Sequence, residues 1–405
     1  MRTNDQSWAK VATPTVAAAA ATIPPRRRWL RFSLRSLLIL ITVLSIWLGV
    51  KVNQARRQKD AVAALRGLGA TVYYEHQRHA GRFNTFDAEK VLDVPGWLRE
   101  LAGDDFFQSV VCVQFSRSAR PVTNDDLAHL AALPRLESLN FLDVAGAVTD
   151  AGLANLPRPD RLVCLIAQGT LIGDETLKRL ADSTRLEVLH LDRTRVTEQG
   201  LRSLGEMTAL RALSLADTRL DDSAIEAITD LPWLAALSLD GTQVTDAGLA
   251  HLARCKRLTS ISLNNTAVSD AGVMHLAGLL QLGSLSLQRT QVRGPGLAGL
   301  SQCVIEILDL KDTPIGDAGL AHLRGIKSLT ALNIEDTALT DAGLLHLHHL
   351  PQLSAICLEG TQVSKEGIAK LTKALPGLAV VTAPKRAIVP VTSALQTEGL
   401  VRQKN

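Results

Sequence analysis

Apolar residues recur along most of the chain at a fixed spacing. The pattern L-x-x-L-x-L-x-x-T returns every 24 residues, with one step of 23, in copies that start at Leu162, Leu186, Leu210, Leu234, Leu258, Leu282, Ile305, Leu329 and Leu353. Degenerate copies start at Val110 and Leu136, and a last half-copy begins at Leu378. This period predicts a stack of about twelve small units over residues 110–384 in place of two or three ordinary domains.

Each phrase predicts one short strand. Its fourth and sixth positions, Leu237 and Leu239 in one copy, face inward while the residues between them point outward. Stacked copies then form a parallel sheet. The ninth position is Thr in nine consecutive units, and its hydroxyl is expected to bond to backbone groups of its own or the neighbouring turn. We interpret this column as a structural ladder, formed by Thr170, Thr194, Thr218, Thr242, Thr266, Thr290, Thr313, Thr337 and Thr361.

A second pattern follows each strand, with its clearest copy, V-T-D-A-G-L-A-H-L, at residues 244–252. Thr245 is predicted to be the N-cap of a short helix, with Asp246 as its first residue and Val244 and Leu249 as a hydrophobic staple. The Gly that follows in this pattern disfavours a helix, so we expect close packing against the adjacent unit to compensate. Every strand is thus followed by a short helix.

The repeated phrase resembles the leucine-rich repeat, and the resemblance covers residues 110–384. It implies an α/β solenoid, or horseshoe, with a parallel concave sheet, short convex helices and about twelve units of mostly 24 residues. The V-T-D-A-G-L segment resembles the repeats of F-box-associated and ribonuclease-inhibitor-like proteins, although Thr stands where the cysteine-containing type has Cys. The front end, with RFSLRSLLILITVLSIWLGVKV and then PGWLRELAGDDFF, resembles the membrane-anchored leucine-rich-repeat proteins of planctomycete bacteria. That resemblance implies an architecture and no particular activity.

Residues 26–51 are predicted to be a basic flank and a transmembrane signal-anchor. Between Arg35 and Lys51 lie 15 uncharged residues, about 22 Å of helix, and snorkelling of Arg35 extends the usable span toward a core of ~30 Å. A buried core helix would not favour basic clusters at both ends, and a cleaved signal peptide lacks a good cleavage site after the apolar run. The basic residues slightly favour a cytoplasmic amino terminus and an exported repeat domain in a single-pass protein.

The remaining segments flank the repeats. Residues 1–25 and 385–405 are predicted to be disordered tails, since they bury too little apolar surface to order. Residues 52–109 are predicted to form a juxtamembrane helix, a Tyr-rich strand at 70–77, a short helix from Pro95 and an N-terminal cap. Trp97, Phe106 and Phe107 are expected to cover the open core of the first unit.

The distribution of charge and the spacing of reactive residues disfavour several classes of function. Residues 61–405 contain 33 Lys or Arg against 38 Asp or Glu, whereas residues 1–60 contain 11 against 2. A mildly acidic, aromatic-poor body makes nucleic acid an unlikely partner. The five cysteines form no C-x-x-C pair, and the helix histidines (His129, His251, His275, His322, His346) are predicted to be too far apart to share a metal ion. With no phosphate loop or catalytic motif, we predict no enzyme, metal or cofactor.

The concave face is the predicted place for a partner. Its third and fifth positions are mostly small, and its seventh is polar and mildly acidic. The carboxylates near the end of the array are predicted to favour a basic partner, with simple solvation as the alternative. Few Trp, Tyr or Arg occur there, which favours a weak or avidity-driven contact. The candidate partner-binding residues are His190, Asp192, Asp240, Asn264, Gln288, Asp309, Lys311, Asn333, Glu335, Asp336 and Glu359.

The leading hypothesis is a non-enzymatic, membrane-anchored interaction module that binds a protein, or alternatively a glycan, on its concave face. One alternative is a regulatory or adaptor subunit of the F-box-like substrate-recognition type, although no F-box-like helical module precedes the repeats. Another is an enzyme with its chemistry in residues 70–109, and a third is a soluble scaffold without a membrane link. The sequence specifies no oligomeric state.

Overall fold

A computed structural model describes residues 34–78, 86–87, 90, 92–115, 121–142 and 147–381. The tails predicted at 1–25 and 385–405 and the basic cluster at 26–31 lie outside the described residues. The chain divides into two units, residues 1–50 and 51–405. Helix α1 (Leu34–Gly67) contributes its amino-terminal half to the first unit and its carboxy-terminal half to the second.

The amino-terminal half of α1 is apolar and exposed. Its apolar window is long enough, by length and composition, to cross a membrane, and none of that window is buried. Exposure of so many Leu and Ile side chains is unfavourable in water and favourable in a bilayer. The helix ends at Gly67, and Gly69 follows with a positive φ of 85°.

Among the described residues, thirteen strands form one sheet whose order follows the chain. From β2 to β13 all neighbours are parallel, as the repeat predicts. The exception is β1, which pairs antiparallel with β2 and ends at Tyr74, earlier than the strand predicted for residues 70–77. The strands are Ala70–Tyr74 (β1), Val110–Phe115 (β2), Ser138–Asn140 (β3), Cys164–Ile166 (β4), Val188–His190 (β5), Ala212–Ser214 (β6), Ala236–Ser238 (β7), Ser260–Ser262 (β8), Ser284–Ser286 (β9), Ile307–Asp309 (β10), Ala331–Asn333 (β11), Ala355–Cys357 (β12) and Ala379–Val381 (β13).

Short helices alternate with the strands on the other side of the solenoid. The α-helices after α1 are Gly96–Ala102 (α2), Asp104–Phe107 (α3), Asp150–Leu153 (α4), Asp174–Leu180 (α5), Glu198–Leu201 (α6), Asp222–Ile228 (α7), Asp246–Leu252 (α8), Asp270–His275 (α9), Asp317–Leu320 (α10), Asp341–Leu344 (α11) and Lys365–Ala374 (α12). Tighter 3-10 helices occupy Glu75–Gln77, Asp126–Ala132, Pro159–Arg161, Arg202–Glu206, Leu276–Gly278, Pro295–Gln302, Ala321–Gly325 and Leu345–His349. The architecture is therefore that of an α/β leucine-rich-repeat solenoid.

The core lies between the sheet and the helices. The fourth and sixth residues of the phrases that start between Val110 and Leu353 are buried, as Leu237 and Leu239 illustrate. One apolar cluster runs without interruption from Ala61 to Leu378. Because each unit shares this cluster with its neighbours, no unit can bury its apolar residues alone.

A carboxylate links each helix start to the next. Thr245 caps α8, as predicted, by accepting a hydrogen bond from the Ala247 amide at 3.3 Å. The carboxylate of Asp246, however, reaches across to the following unit, where the amide and hydroxyl of Ser269 donate to it at 2.7 and 2.6 Å. Ser269 is the N-cap of α9. The aspartate that the sequence explains as a helix-start charge is thus also a connection between units.

The same connection recurs along the array, and we call it the aspartate ladder. Its rungs join residues 23 positions apart: Asp174 to Thr197, Asp222 to Thr245, Asp246 to Ser269, Asp317 to Thr340 and Asp341 to Ser364. Where Arg293 stands at the hydroxyl position, the backbone amides of Arg293, Gly294 and Gly296 donate to the Asp270 carboxylate instead. Hydrogen bonds from Ser364 lower the pKa of Asp341, so this carboxyl is ionised at neutral pH.

The glycine that stands third in helices such as α8, α9, α11 and α12 makes room for the ladder. A Cβ added to Gly272 would lie 2.3 Å from Oδ1 of Asp246 and 3.1 Å from its Cα atom. At Gly367 the corresponding distance to Asp341 Oδ1 would be 2.1 Å. The predicted packing of glycine against the adjacent unit is therefore present, and the group against which it packs is the ladder carboxylate.

The N-terminal end of the core is closed by α1 and β1. Ala61, Val62 and Leu65 of α1 are buried within the core cluster. Trp97, by contrast, is 66% exposed, so the prediction that it covers the first unit is wrong. The cover is supplied instead by the carboxy-terminal half of α1, which the sequence predicts as the juxtamembrane helix, because no local pattern specifies which segment packs against the first unit.

We predict opposite effects for alanine at two glycines. Gly272→Ala forces the Asp246 carboxylate away from Ser269 and should lower the free energy of unfolding by about 2 kcal/mol, despite the better helix propensity of alanine. Gly205, in the 3-10 helix Arg202–Glu206, has open space around its Cα atom. Gly205→Ala should therefore leave stability unchanged or raise it by up to about 1 kcal/mol. Urea denaturation of both variants measures the difference, and equal effects would argue against the ladder geometry.

Candidate interaction surface

The concave face is built from the third and fifth positions of each phrase. Parallel pairing places equivalent residues side by side, so that Ala236 lies next to Ser260 and Ser238 next to Ser262. Small side chains therefore form continuous columns across the sheet. Larger polar residues of the seventh position stand at the border where the strands end.

The floor of this face is tightly packed. Cys164, Val188, Ala212 and Ala236 form a second buried apolar cluster on it. Ser238 is only 1% exposed. The buried hydroxyls of Ser238, Ser260 and Ser284 have no hydrogen-bond partner among the described residues. Because these hydroxyl oxygens are buried, they are not groups that a partner contacts directly.

The predicted seventh-column residues are brought together and bond to one another. Asp240 accepts hydrogen bonds from the Ser262 hydroxyl at 2.6 Å and the Asn264 amide at 2.8 Å. The side-chain oxygen of Asn264 in turn accepts from Ser286 at 2.6 Å and from the amide of Gln288 at 2.8 Å. These side chains therefore connect adjacent strands at this border of the sheet.

The hydrogen bonds of the seventh column extend along the array and include the fifth-position residues Asp309 and Asn333. Gln288 donates to the carboxylate of Asp309 at 2.7 Å. Earlier in the array, Asp192 accepts from the Ser214 hydroxyl and from the backbone amide of Ala216. The side-chain oxygen of Asn333 accepts from the backbone amide of Glu335 at 3.1 Å.

The acidic group near the end of the array is partly neutralised. The Lys311 ammonium lies 2.9 Å from a carboxylate oxygen of Glu335 and 3.3 Å from one of Asp336. Asp309 is buried, and burial raises the pKa of its carboxyl group. Glu359, one strand further on, is half-buried. The negative charge offered to a basic partner is therefore smaller than the sequence suggests, because a lysine of the same column contacts two of the four carboxylates.

Burial also shifts the titration of two other candidates. It raises the pKa of Asp240, against the opposing effect of the hydrogen bonds from Ser262 and Asn264. It lowers the pKa of His190, which is 6% exposed and lies near Asp192. The Nε2 atom of His190 has no hydrogen-bond partner among the described residues. Both shifts favour the neutral forms, as expected for groups removed from water.

The threonine column lies where each strand turns. Each of the nine hydroxyls donates to the carbonyl oxygen three residues earlier, as Thr242 does to Leu239 at 2.6 Å. The residue before each threonine has a positive φ, whether it is Gly, Asn, Asp or Arg. The hydroxyl thus closes a tight left-handed turn within its own unit, a role that leaves no nucleophile free.

Other candidates for chemistry are buried or dispersed. The five cysteines are buried and form no disulfide among the described residues, and burial raises the pKa of Cys112 and of Cys164 to about 12. Their thiolate forms are therefore scarce at neutral pH. Within the described ranges, no group of three or more His, Cys, Asp or Glu side chains is placed to hold a metal ion.

Comparisons with known proteins add a fold-level likeness. No protein-family model and no curated protein matches the chain. Among solved structures, it is similar to an internalin (inlF) from Listeria monocytogenes, with 20% identity and a TM-score of 0.45 over 69% of this chain and 87% of that one. An internalin C2 (inlC2) from the same organism is 21% identical, with a TM-score of 0.40 over 66% of this chain and 100% of that one. The chain is a leucine-rich-repeat protein by its own repeat and sheet.

Proposed function

We propose that the chain is a non-enzymatic protein-interaction module, held at a membrane by α1, whose concave sheet binds a protein partner. The observation that carries this proposal is the row of twelve parallel strands in the described part of the chain, which presents a continuous concave face of mostly small side chains. An extended surface of this kind suits a macromolecule better than a small substrate, which normally occupies an enclosed cleft.

Membrane attachment rests on α1. Its exposed apolar window and the basic residues on both sides fit a single-pass signal-anchor, with the amino terminus cytoplasmic and the repeats exported. The front-end resemblance to membrane-anchored leucine-rich-repeat proteins of planctomycete bacteria agrees with this arrangement. No described feature favours the adaptor or the soluble-scaffold alternative. A glycan partner is an outcome that the experiments below distinguish.

We predict that the full chain sediments with bacterial membranes and that protease added outside spheroplasts degrades the repeats. The double variant Ile41→Arg and Leu44→Arg places two charges within the apolar window, each costing about 2.5–3.5 kcal/mol in the bilayer. It should appear in the soluble fraction. A control variant, Arg56→Gln and Arg57→Gln, should remain membrane-bound. If the chain with the wild-type sequence is soluble, or if its repeats resist external protease until the cells are lysed, the anchor or the topology is wrong.

We predict that a partner meets the concave border. A photo-crosslinking residue at Gln288 should give a discrete protein adduct in cells that produce the chain, whereas one at Ala250, exposed on α8, should not. Adding Ala331→Arg and Ala355→Arg, which place long charged side chains on the concave face, should remove the adduct. Adducts of equal yield from positions 288 and 250, or an adduct that survives both arginines, would exclude concave binding. An adduct whose added mass is removed by glycosidase would identify a glycan.

A further inference from the structure

A second polar border lies at the opposite end of the strands from the seventh column. The residue just before the first Leu of a phrase is arginine in four units, at Arg135, Arg161, Arg185 and Arg257, and it is Trp233 in the unit before Arg257. Because these residues occupy one repeat position, parallel stacking places them along one edge of the sheet. With Arg78 and Arg211, which contact residues of the same edge, we call this group the arginine edge.

Trp233 lies between two guanidinium groups. The Arg257 guanidinium carbon is 3.9 Å from the ring centroid, and that of Arg211 is 5.5 Å from it. The indole is 43% exposed. A guanidinium stacked on an aromatic ring still directs its N–H groups outward in its own plane, where they can bind a carboxylate through two parallel hydrogen bonds. The stack also restricts the side chains before a partner arrives, which lowers the entropic cost of binding.

The arginine edge already contacts carboxylates of this chain. Glu137 is within 2.5 Å of Arg78, 3.8 Å of Arg161 and 3.9 Å of Arg185. Arg135 faces Glu75 at 3.6 Å, and Arg211 faces Glu187 at 3.8 Å. Five of the six arginines thus contact three carboxylates, while Arg257 lies over the Trp233 ring. Half of the Arg185 and Arg211 side-chain surface remains exposed. The edge has an excess of three positive charges, in a domain whose residues 61–405 are acidic in total.

Size and composition indicate the kind of ligand. From Arg135 to Arg257 the edge crosses five strand spacings, about 24 Å at 4.8 Å each, which equals about seven residues of extended polypeptide. Tryptophan and arginine are the side chains most enriched at energetically dominant positions of protein interfaces. Three net charges over this length are few for a nucleic-acid backbone, which carries a charge every ~1.7 Å in a duplex.

We propose that the arginine edge binds an acidic, extended segment of a protein partner, with carboxylates engaged by Arg211 and Arg257 around Trp233. This inference rests on the proposed role as a protein-interaction module and gives that role a second contact and a partner chemistry. The concave floor and the arginine edge border the same strands, so one partner can contact both.

The test uses the full chain in detergent and two fluorescein-labelled heptapeptides, one rich in glutamate with a central leucine and the other identical except for glutamine at every glutamate. Fluorescence anisotropy should show binding of the glutamate peptide that weakens as salt is added, and at least tenfold weaker binding of the glutamine peptide. The variant Arg211→Gln, Trp233→Ser and Arg257→Gln should weaken the glutamate peptide by at least about tenfold.

Arg254→Gln is the matched control. Arg254 is exposed in the same unit as Arg257 but pairs with Asp230 at 3.3 Å, away from the tryptophan. This variant should bind the peptide as the wild type does, and circular dichroism should show both variants folded. Equal binding of the two peptides, equal losses in both variants, or binding of a sulfated oligosaccharide in place of the peptide would overturn the inference. Since the peptide assay needs no native partner, its failure is separate from failure of the concave crosslink.

Discussion

The hydrogen bonds that each helix start donates to the aspartate of the preceding unit are the interaction on which the stacking depends. Asp246 accepts from both the amide and the hydroxyl of Ser269, and the carboxylate fits only because Gly272 has no side chain. Three residues of the V-T-D-A-G-L pattern therefore act together: the hydroxyl residue donates, the aspartate accepts, and the glycine of the next unit leaves space. Bonds to a charged acceptor contribute about 1.5–3 kcal/mol each, so the ladder adds direction to a core that is otherwise held by non-directional burial.

Because the aspartate ladder joins the units on the helix side, the two borders of the sheet, at the strand starts and at the strand ends, can carry different side chains. At the strand ends, Asp240, Asn264 and Gln288 bond to one another from unit to unit and stiffen the border. At the strand starts, arginines exceed the carboxylates that contact them, and Trp233 is stacked between two of them. A uniform scaffold therefore presents two chemically opposite edges on either side of a small-residue floor, which is a suitable arrangement for a partner with charges of both signs.

Local patterns were sufficient to predict much of this fold. The repeat gave the strand register, and the cap at Thr245 and the packing of Gly272 followed from rules that involve a few neighbouring residues. Features that depend on contacts between distant segments were missed. The ladder role of Asp246 needs a donor 23 residues away, and the covering of the core by Leu65 needs the end of a helix that begins in the apolar segment.

The candidate site shows the same division. The sequence pattern identified the seventh-column residues, and these do lie next to one another. The pairing of Lys311 with Glu335, however, depends on side-chain conformations that no sequence pattern specifies. The arginine edge was readable in the sequence as a recurring arginine before the first Leu of the phrase. Its excess charge became apparent only when the partners of each arginine were located.

The most direct test of the aspartate ladder is amide hydrogen exchange, measured along the whole repeat array in the variants Asp246→Ala and Asp246→Asn. Asparagine can accept from the amide and donate to the hydroxyl, as Asn124 does with Thr149, so Asp246→Asn should retain most of the protection. Asp246→Ala should lower protection in α8, α9 and the strands beside them, corresponding to a loss of about 2 kcal/mol, whereas Asp230→Ala, which removes an exposed ion pair, should change little. Equal, small changes in all three variants would contradict the account and leave burial alone as the force that joins the units.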